Sequence, residues 1–150
     1  MAWINYNPNP ENSAAIDCSV RALCKALDLD WNTAFLVLMA KAYDMKNVPS
    51  ANSVWGAVLR DHGFSREILP NTCPQCYTLE QFCKDHPEGV FVVALDDHVA
   101  CVVDGDIFDS WDSSGEMPLY YFFKEYITFS RRMISNALSQ LRRSVLRKSL

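Results

Sequence analysis

HVACVVDGDIFDSW, residues 98–111, is the stretch that decides the fold. Two apolar runs flank Asp104-Gly105, and that dipeptide favours the central positions of a tight hairpin turn because both residues tolerate positive φ. With Asp104 and Gly105 at the tip, Val103 pairs with Asp106, Ala100 faces Asp109 and His98 faces Trp111. Strand side chains alternate, so all four of His98, Ala100, Asp109 and Trp111 point to one face. Asp109 is then the diagonal neighbour of His98, about 7 Å away between backbones and closer between side-chain tips. Asp112 points to the opposite face in this register. A histidine with an acid beside it is what nucleophilic catalysis uses as a base and its orienting group.

Outward from the hairpin, VFVVAL before it and PLYYFF after it are strand-like, and the three segments predict an antiparallel sheet. FSREIL is a further strand-like run. Upstream the periodicity is helical. A first helix from Cys18 to Leu27 places Val20, Leu23 and Leu27 on one face. Asp30 caps a second over WNTAFLVLMAKAY, and Ser50 or Asn52 caps a third, SVWGAVLRDH, which Gly63 ends. Thr78 with Gln81 forms a capping box for a short helix through Asp85. The stretch from Asn5 to Asn12 reads as irregular. Helices first and strands second predict an α+β fold, with N-terminal helices packed on a C-terminal antiparallel sheet.

Cys18 opens the first helix, directly after Asp17. There the positive end of the helix dipole favours a thiolate, the form in which cysteine attacks an acyl carbon. Cys18 as nucleophile, His98 as base and then acid, and Asp109 fixing the histidine tautomer make a complete set for acyl transfer to a thiol. The bland alternatives are a half-buried helix cysteine and a satisfied strand histidine.

Composition sets limits on this reading. The 150 residues fit one domain, and 49% apolar with 21% charged residues is ordinary for a globular chain. No apolar run reaches the roughly 18 residues a membrane helix needs. The N-terminus has neither a basic start nor an apolar h-region, so no signal peptide is visible, and a cytoplasmic location is expected. Six cysteines would permit three disulfides, but a reduced setting fits a core-rich chain better, with Cys24 and Cys101 acting as small hydrophobes. The net charge of -4 is uneven, because no acid follows Glu125 while six of the basic residues do. The acidic body argues against nucleic acid as a partner.

The motifs DCSVRALCKAL around Cys18, DDHVACVVDG around His98 and IFDSWDS around Asp109 span the chain to about Tyr121. A helix starting at a cysteine, further helices, then a histidine strand followed by an acid on the next strand, is similar to the papain-like cysteine peptidase superfamily. Within it the chain resembles the short C39-type peptidase domains and small proteins common in tailed-phage genomes. The resemblance implies a cysteine hydrolase acting on a protein or peptide amide or isopeptide bond, without a cofactor, in the host cytoplasm where phage-encoded. The same triad also serves acyl transferases and transglutaminase-like enzymes, and a phage accessory protein can keep the fold without the activity. The family places an oxyanion-stabilising amide side chain some six residues before its cysteine. Asn12 stands at that spacing, with Asn where Gln is more usual, and Asn7 and Asn9 are substitutes.

Other features point elsewhere. Cys73, Cys76, Cys83 and His86 form C-x2-C-x6-C-x2-H, a pattern that can supply four tetrahedral zinc ligands, although Cys83 is also placed to be a core residue. His62 at a helix end reads as structural. Trp111 is either a cover over the His-acid bond or part of the core, and Ser110, Ser113, Ser114 and Gly115 suit a flexible rim. From Arg131 onward, Ile134, Leu138, Leu141 and Val145 form one stripe of a basic amphipathic helix. This divides the chain into a domain at 1–129 and a tail at 130–150 that either docks on the acidic body or binds a partner.

Overall fold

A computed structural model describes residues 1–12, 14–70 and 74–124, so the tail at 130–150 and Cys73 lie outside the described residues. In chain order the elements are β1 (Trp3–Asn5), α1 (Cys18–Leu27), α2 (Trp31–Met45), α3 (Asn52–Asp61), β2 (Ser65–Ile68), α4 (Leu79–Asp85), β3 (Val90–Leu95), β4 (His98–Val103), β5 (Asp106–Asp109) and β6 (Tyr120–Phe123). Among the described residues four helices accompany one six-stranded sheet in the order β1-β5-β4-β3-β6-β2, a mixed α+β arrangement.

Most helix boundaries follow from local chemistry. Asp30 caps α2 by accepting from the Thr33 amide at 3.0 Å, and the Thr78 hydroxyl accepts from the Gln81 amide at 3.3 Å to start α4. The reciprocal half of that capping box is missing, because Gln81 turns its amide to Asp85 instead. The third helix departs from expectation. Its cap residue is Ala51, without a side-chain bond, and Asn52 is its first residue, accepting from the Trp55 indole at 3.1 Å.

The sheet corrects the expected all-antiparallel order. β1 runs parallel to β5, pairing Trp3 with Ile107 and Asn5 with Asp109, so a segment read partly as irregular is an edge strand. β2 lies on the opposite edge against β6. Strands therefore occur before, among and after the helices; β2 lies within the strand-like run FSREIL, while β1 is recruited by its neighbour rather than by its own pattern. The hairpin register is the one the Asp-Gly turn dictates: Val103 pairs with Asp106, Val102 with Ile107 and Cys101 with Phe108.

Alternation along β3 and β4 divides the core into two. Val92, Ala94, Val99 and Cys101 pack with Leu23, Leu38, Val54, Trp55 and Phe122 beneath α1, α2 and α3. Phe91, Val93, Ala100 and Val102 pack with Leu79, Phe82 and Cys83 of α4. Gly56 permits the close approach of α3 to the sheet, since a Cβ there would lie 2.9 Å from the Phe122 ring. Being covered on both faces, β3 and β4 carry near-continuous apolar sequence. The functional consequence is positional: β4 begins at His98, β5 ends at Asp109, and α1 begins at Cys18.

Candidate active site

The hairpin brings His98 Nε2 to 2.6 Å from Asp109 Oδ2. His98 also interacts with Cys18 closely enough for each to shift the titration of the other, and both line one cleft. With Nε2 committed to the carboxylate, Nδ1 is the nitrogen left for sulfur. The fold thus brings Cys18, His98 and Asp109 together in the order thiol, imidazole, carboxylate. Asp112, in contrast, is exposed and accepts from the Ser114 amide at 3.1 Å.

Burial opposes charge on Cys18, but the hydrogen bond and positive charge of His98, a bond from the Val99 backbone and the charge of Arg21 together bring its thiol below 9.0. Burial likewise opposes charge on His98, yet its bonds to Asp109 and Cys18 push it up to about 9. Both directions favour a thiolate beside an imidazolium. The sign follows for each member. The thiolate is lost as pH falls through its lowered value, and the imidazolium is lost as pH rises through about 9. Alkylation of Cys18 by a neutral electrophile should therefore titrate with an inflection below 9.0, and His98→Gln should move that inflection upward, because burial persists without the cation. Quench-flow or mass-spectrometric rates across pH check this, and a wild-type inflection at or above 9.0 would contradict the ion pair.

Asp109 is held on every side. It is only 2% exposed, and its Oδ1 accepts from the Ser110 amide at 2.7 Å while Oδ2 also accepts from the Ser113 hydroxyl at 2.8 Å. Ser113 is fully buried, which corrects its reading as part of a flexible rim. Arg21 Nη2 lies 3.8 Å from Asp109 Oδ1, and its Nη1 is paired with Asp17, one turn back on α1. Asp17 also accepts from the Trp31 indole at 2.8 Å and from Asn9 at 3.3 Å. A buried network of Asp17, Arg21, Ser113 and Trp31 thus supports the acid. A DxxxR pairing at helical spacing was the available sequence signal for its first two members.

The amide side chains separate clearly. Asn9 is buried, gives its Nδ2 to Asp17 and takes the Glu11 amide on its Oδ1, so it organises the loop rather than facing the nucleophile. Asn12 and Asn7 both line the cleft over Cys18. Asn12 has φ of 49°, and its Oδ1 accepts from Asn7 at 3.3 Å, leaving the Asn12 Nδ2 as the donor end. The Cys18 backbone N–H, first in α1, has no acceptor within the helix. The cleft measures about 400 Å³, and its wall also includes Ile16, Asp97 and Trp111. The Trp111 ring sits 5.1 Å from the imidazole and remains 42% exposed, so it flanks His98 at the cleft wall and does not belong to the core.

The remaining candidates are placed away from this site. Cys83 is buried in the α4 core, its thiol pushed up to about 11 by burial, and His86 stacks on Phe82 at 4.1 Å. Cys76 is exposed. Among the described residues no three metal-binding side chains gather, so Cys76, Cys83 and His86 form no cluster; Cys73, the fourth residue of the pattern, lies outside the described residues. Cys24 and Cys101 are buried free thiols, and Cys76 and Cys83 are free as well. His62 Nδ1 lies 2.7 Å from the Val58 carbonyl, a helix-end contact. No described helix is long and apolar enough to cross a membrane. No family model matches the chain, and neither curated proteins nor solved structures give a match.

Proposed function

We propose that the protein is a cysteine-dependent hydrolase of the papain-like kind, a peptidase, amidase or isopeptidase that works through an acyl-thioester on Cys18. The observation that carries the reading is the juxtaposition of Cys18 and His98 on one cleft, with His98 bonded from behind to the buried Asp109. A buried, four-sided anchorage of the acid goes further than a surface histidine would require.

In the proposed cycle the thiolate attacks the carbonyl carbon, a C–S bond forms and the carbonyl electron pair moves to oxygen. The Cys18 amide and the Asn12 side chain donate to that oxygen, a contribution whose loss typically costs about 100-fold or more in rate. Collapse expels the amine, which leaves with the proton from His98 Nδ1. Neutral His98 then takes a proton from water as it attacks the thioester, and the thiolate departs. An amine in place of water would give acyl transfer with the same residues.

The direct test needs no known substrate. At about pH 6 a limiting amount of chloroacetamide should alkylate Cys18 ahead of the other five cysteines, as read by peptide mapping. Labelling that spreads over the other cysteines and spares Cys18 would remove the enzyme reading.

A further inference from the structure

The cleft is uneven in charge. Its buried cation, Arg21, is already occupied by Asp17 and lies 3.8 Å from Asp109. The imidazolium of His98 is matched by Asp109 and the thiolate. What remains is Asp97, exposed on the cleft wall, whose carboxylate has no ion pair or hydrogen bond among the described residues. Its place is fixed. Leu95 pairs with His98, so Asp96 and Asp97 form a two-residue turn, and Asp97 sits in the left-handed region at φ of 51°. The adjoining residue is the proposed base itself, so this carboxylate stands beside the reacting centre.

Two apolar groups complete the wall. Trp111 is 42% exposed, and Ile16 projects entirely into solvent at 99%, although each lines the cleft. An exposed aromatic face and an unpaired carboxylate in one cleft suit a cation on an apolar stem, since the ring attracts the charge and the stem covers the aliphatic surface. A volume of about 400 Å³ holds one or two residues of a peptide.

Resting on Cys18 as nucleophile, we infer that the cleft selects acyl substrates with a positively charged, lysine- or arginine-like side chain next to the scissile carbonyl, held by Asp97 and Trp111. Anionic substrates are disfavoured, with Asp96 and Asp97 both exposed at the same turn and little screening over such short distances.

Charge-matched methanethiosulfonates test this on the full-length protein. The Cys18 thiolate attacks the sulfenyl sulfur of the reagent, a disulfide forms, and methanesulfinate leaves with the electron pair of the broken S–S bond. Rates at Cys18 are compared for the trimethylammonioethyl and sulfonatoethyl reagents at low salt, and each is normalised to the same chain unfolded in urea. The wild type should favour the cation. Asp97→Asn, which tolerates the left-handed turn, should lower the cation-to-anion ratio about tenfold, because a carboxylate on the wall of the same cleft acts on the two reagents in opposite directions. Asp97→Lys should invert it, with circular dichroism confirming that both variants fold. An unchanged ratio in both variants, with Cys18 still hyper-reactive toward chloroacetamide, overturns the charge selection and leaves the nucleophile standing. Folded wild-type Cys18 that reacts no faster than in the unfolded chain overturns both.

Discussion

Asp109→Asn should lower turnover of an amide substrate about 10,000-fold, the scale seen when a triad acid is replaced by its amide. The direction of the effect can be derived from the bonds around the side chain. The Ser110 amide donates to Oδ1 at 2.7 Å, so an asparagine keeps its oxygen there and turns its NH2 to the Oδ2 position. That NH2 then faces His98 Nε2 and the Ser113 hydroxyl, where the carboxylate had accepted from both. An amide donor opposite Nε2 forces the imidazole proton onto Nδ1, and Nδ1 is the nitrogen that must accept a proton from the thiol. The base is lost without any change of shape. Thiolate is lost with it, since a cationic ring would have to donate toward another donor. Alkylation of Cys18 at pH 6 is the substrate-free measurement, and it should fall about tenfold for each unit by which the thiol rises. Thermal stability should fall as well, because the pairing with the His98 imidazolium and with Arg21 is lost, and circular dichroism should confirm that the variant still folds. An Asp109→Asn protein with wild-type Cys18 reactivity would mean that the acid does not act through His98.

Much of this site was legible in the chain, and the reason is local. The Asp-Gly turn fixes a register, and a register fixes which acid shares a face with His98, so Asp109 over Asp112 follows from the positions alone. Cys18 at a helix start is equally local, being set by the apolar spacing of Val20, Leu23 and Leu27. Of the two edge strands, Ser65–Ile68 lies within the strand-like run FSREIL, whereas Trp3–Asn5 is not legible, because it is three residues long, all exposed, and owes its conformation to β5. Ser113 was misread for a related reason. A serine in a polar stretch looks like a loop rim, and only the folded chain shows it buried against Asp109. The burial of Arg21 gives no sequence signal, because an arginine inside a helix is normally solvated, whereas here Asp17, four residues before it, and Asp109, from the distant hairpin, draw it inward. Cys83 is the opposite case: its spacing suits a metal ligand, but it lies on the apolar face of α4 with Leu79 and Phe82 and takes the core place that the sequence also offers it.

Arg21→Met should destabilise the protein by about 3 to 5 kcal/mol, the usual cost of removing one member of a buried ion pair. Asp17 and Asp109 are both nearly inaccessible, and Arg21 is the cation that faces them from α1. Methionine fills much of the space but leaves two carboxylates close together in a poorly solvated site. With a urea dependence of about 2 kcal/mol per M, typical for a domain of this size, the unfolding midpoint should drop by about 2 M. The guanidinium is not ideally satisfied even in the wild type, since among the described residues Arg21 Nε is buried without a partner. Its burial there therefore points to the charges it balances rather than to packing. The double variant Asp17→Asn with Arg21→Met separates the two explanations. An asparagine oxygen can still accept from the Trp31 indole at the position where Asp17 does so at 2.8 Å, while the excess negative charge disappears. If charge balance is the cause, the double variant recovers a large part of the lost stability, giving a coupling of 1 kcal/mol or more, on the order of what contacting pairs show. If Arg21 acts mainly by packing its stem, the two losses add. Cys18 alkylation distinguishes the catalytic side of the same residue: Arg21 contributes to holding the thiol down, so even the rescued double variant should react more slowly than the wild type at pH 6.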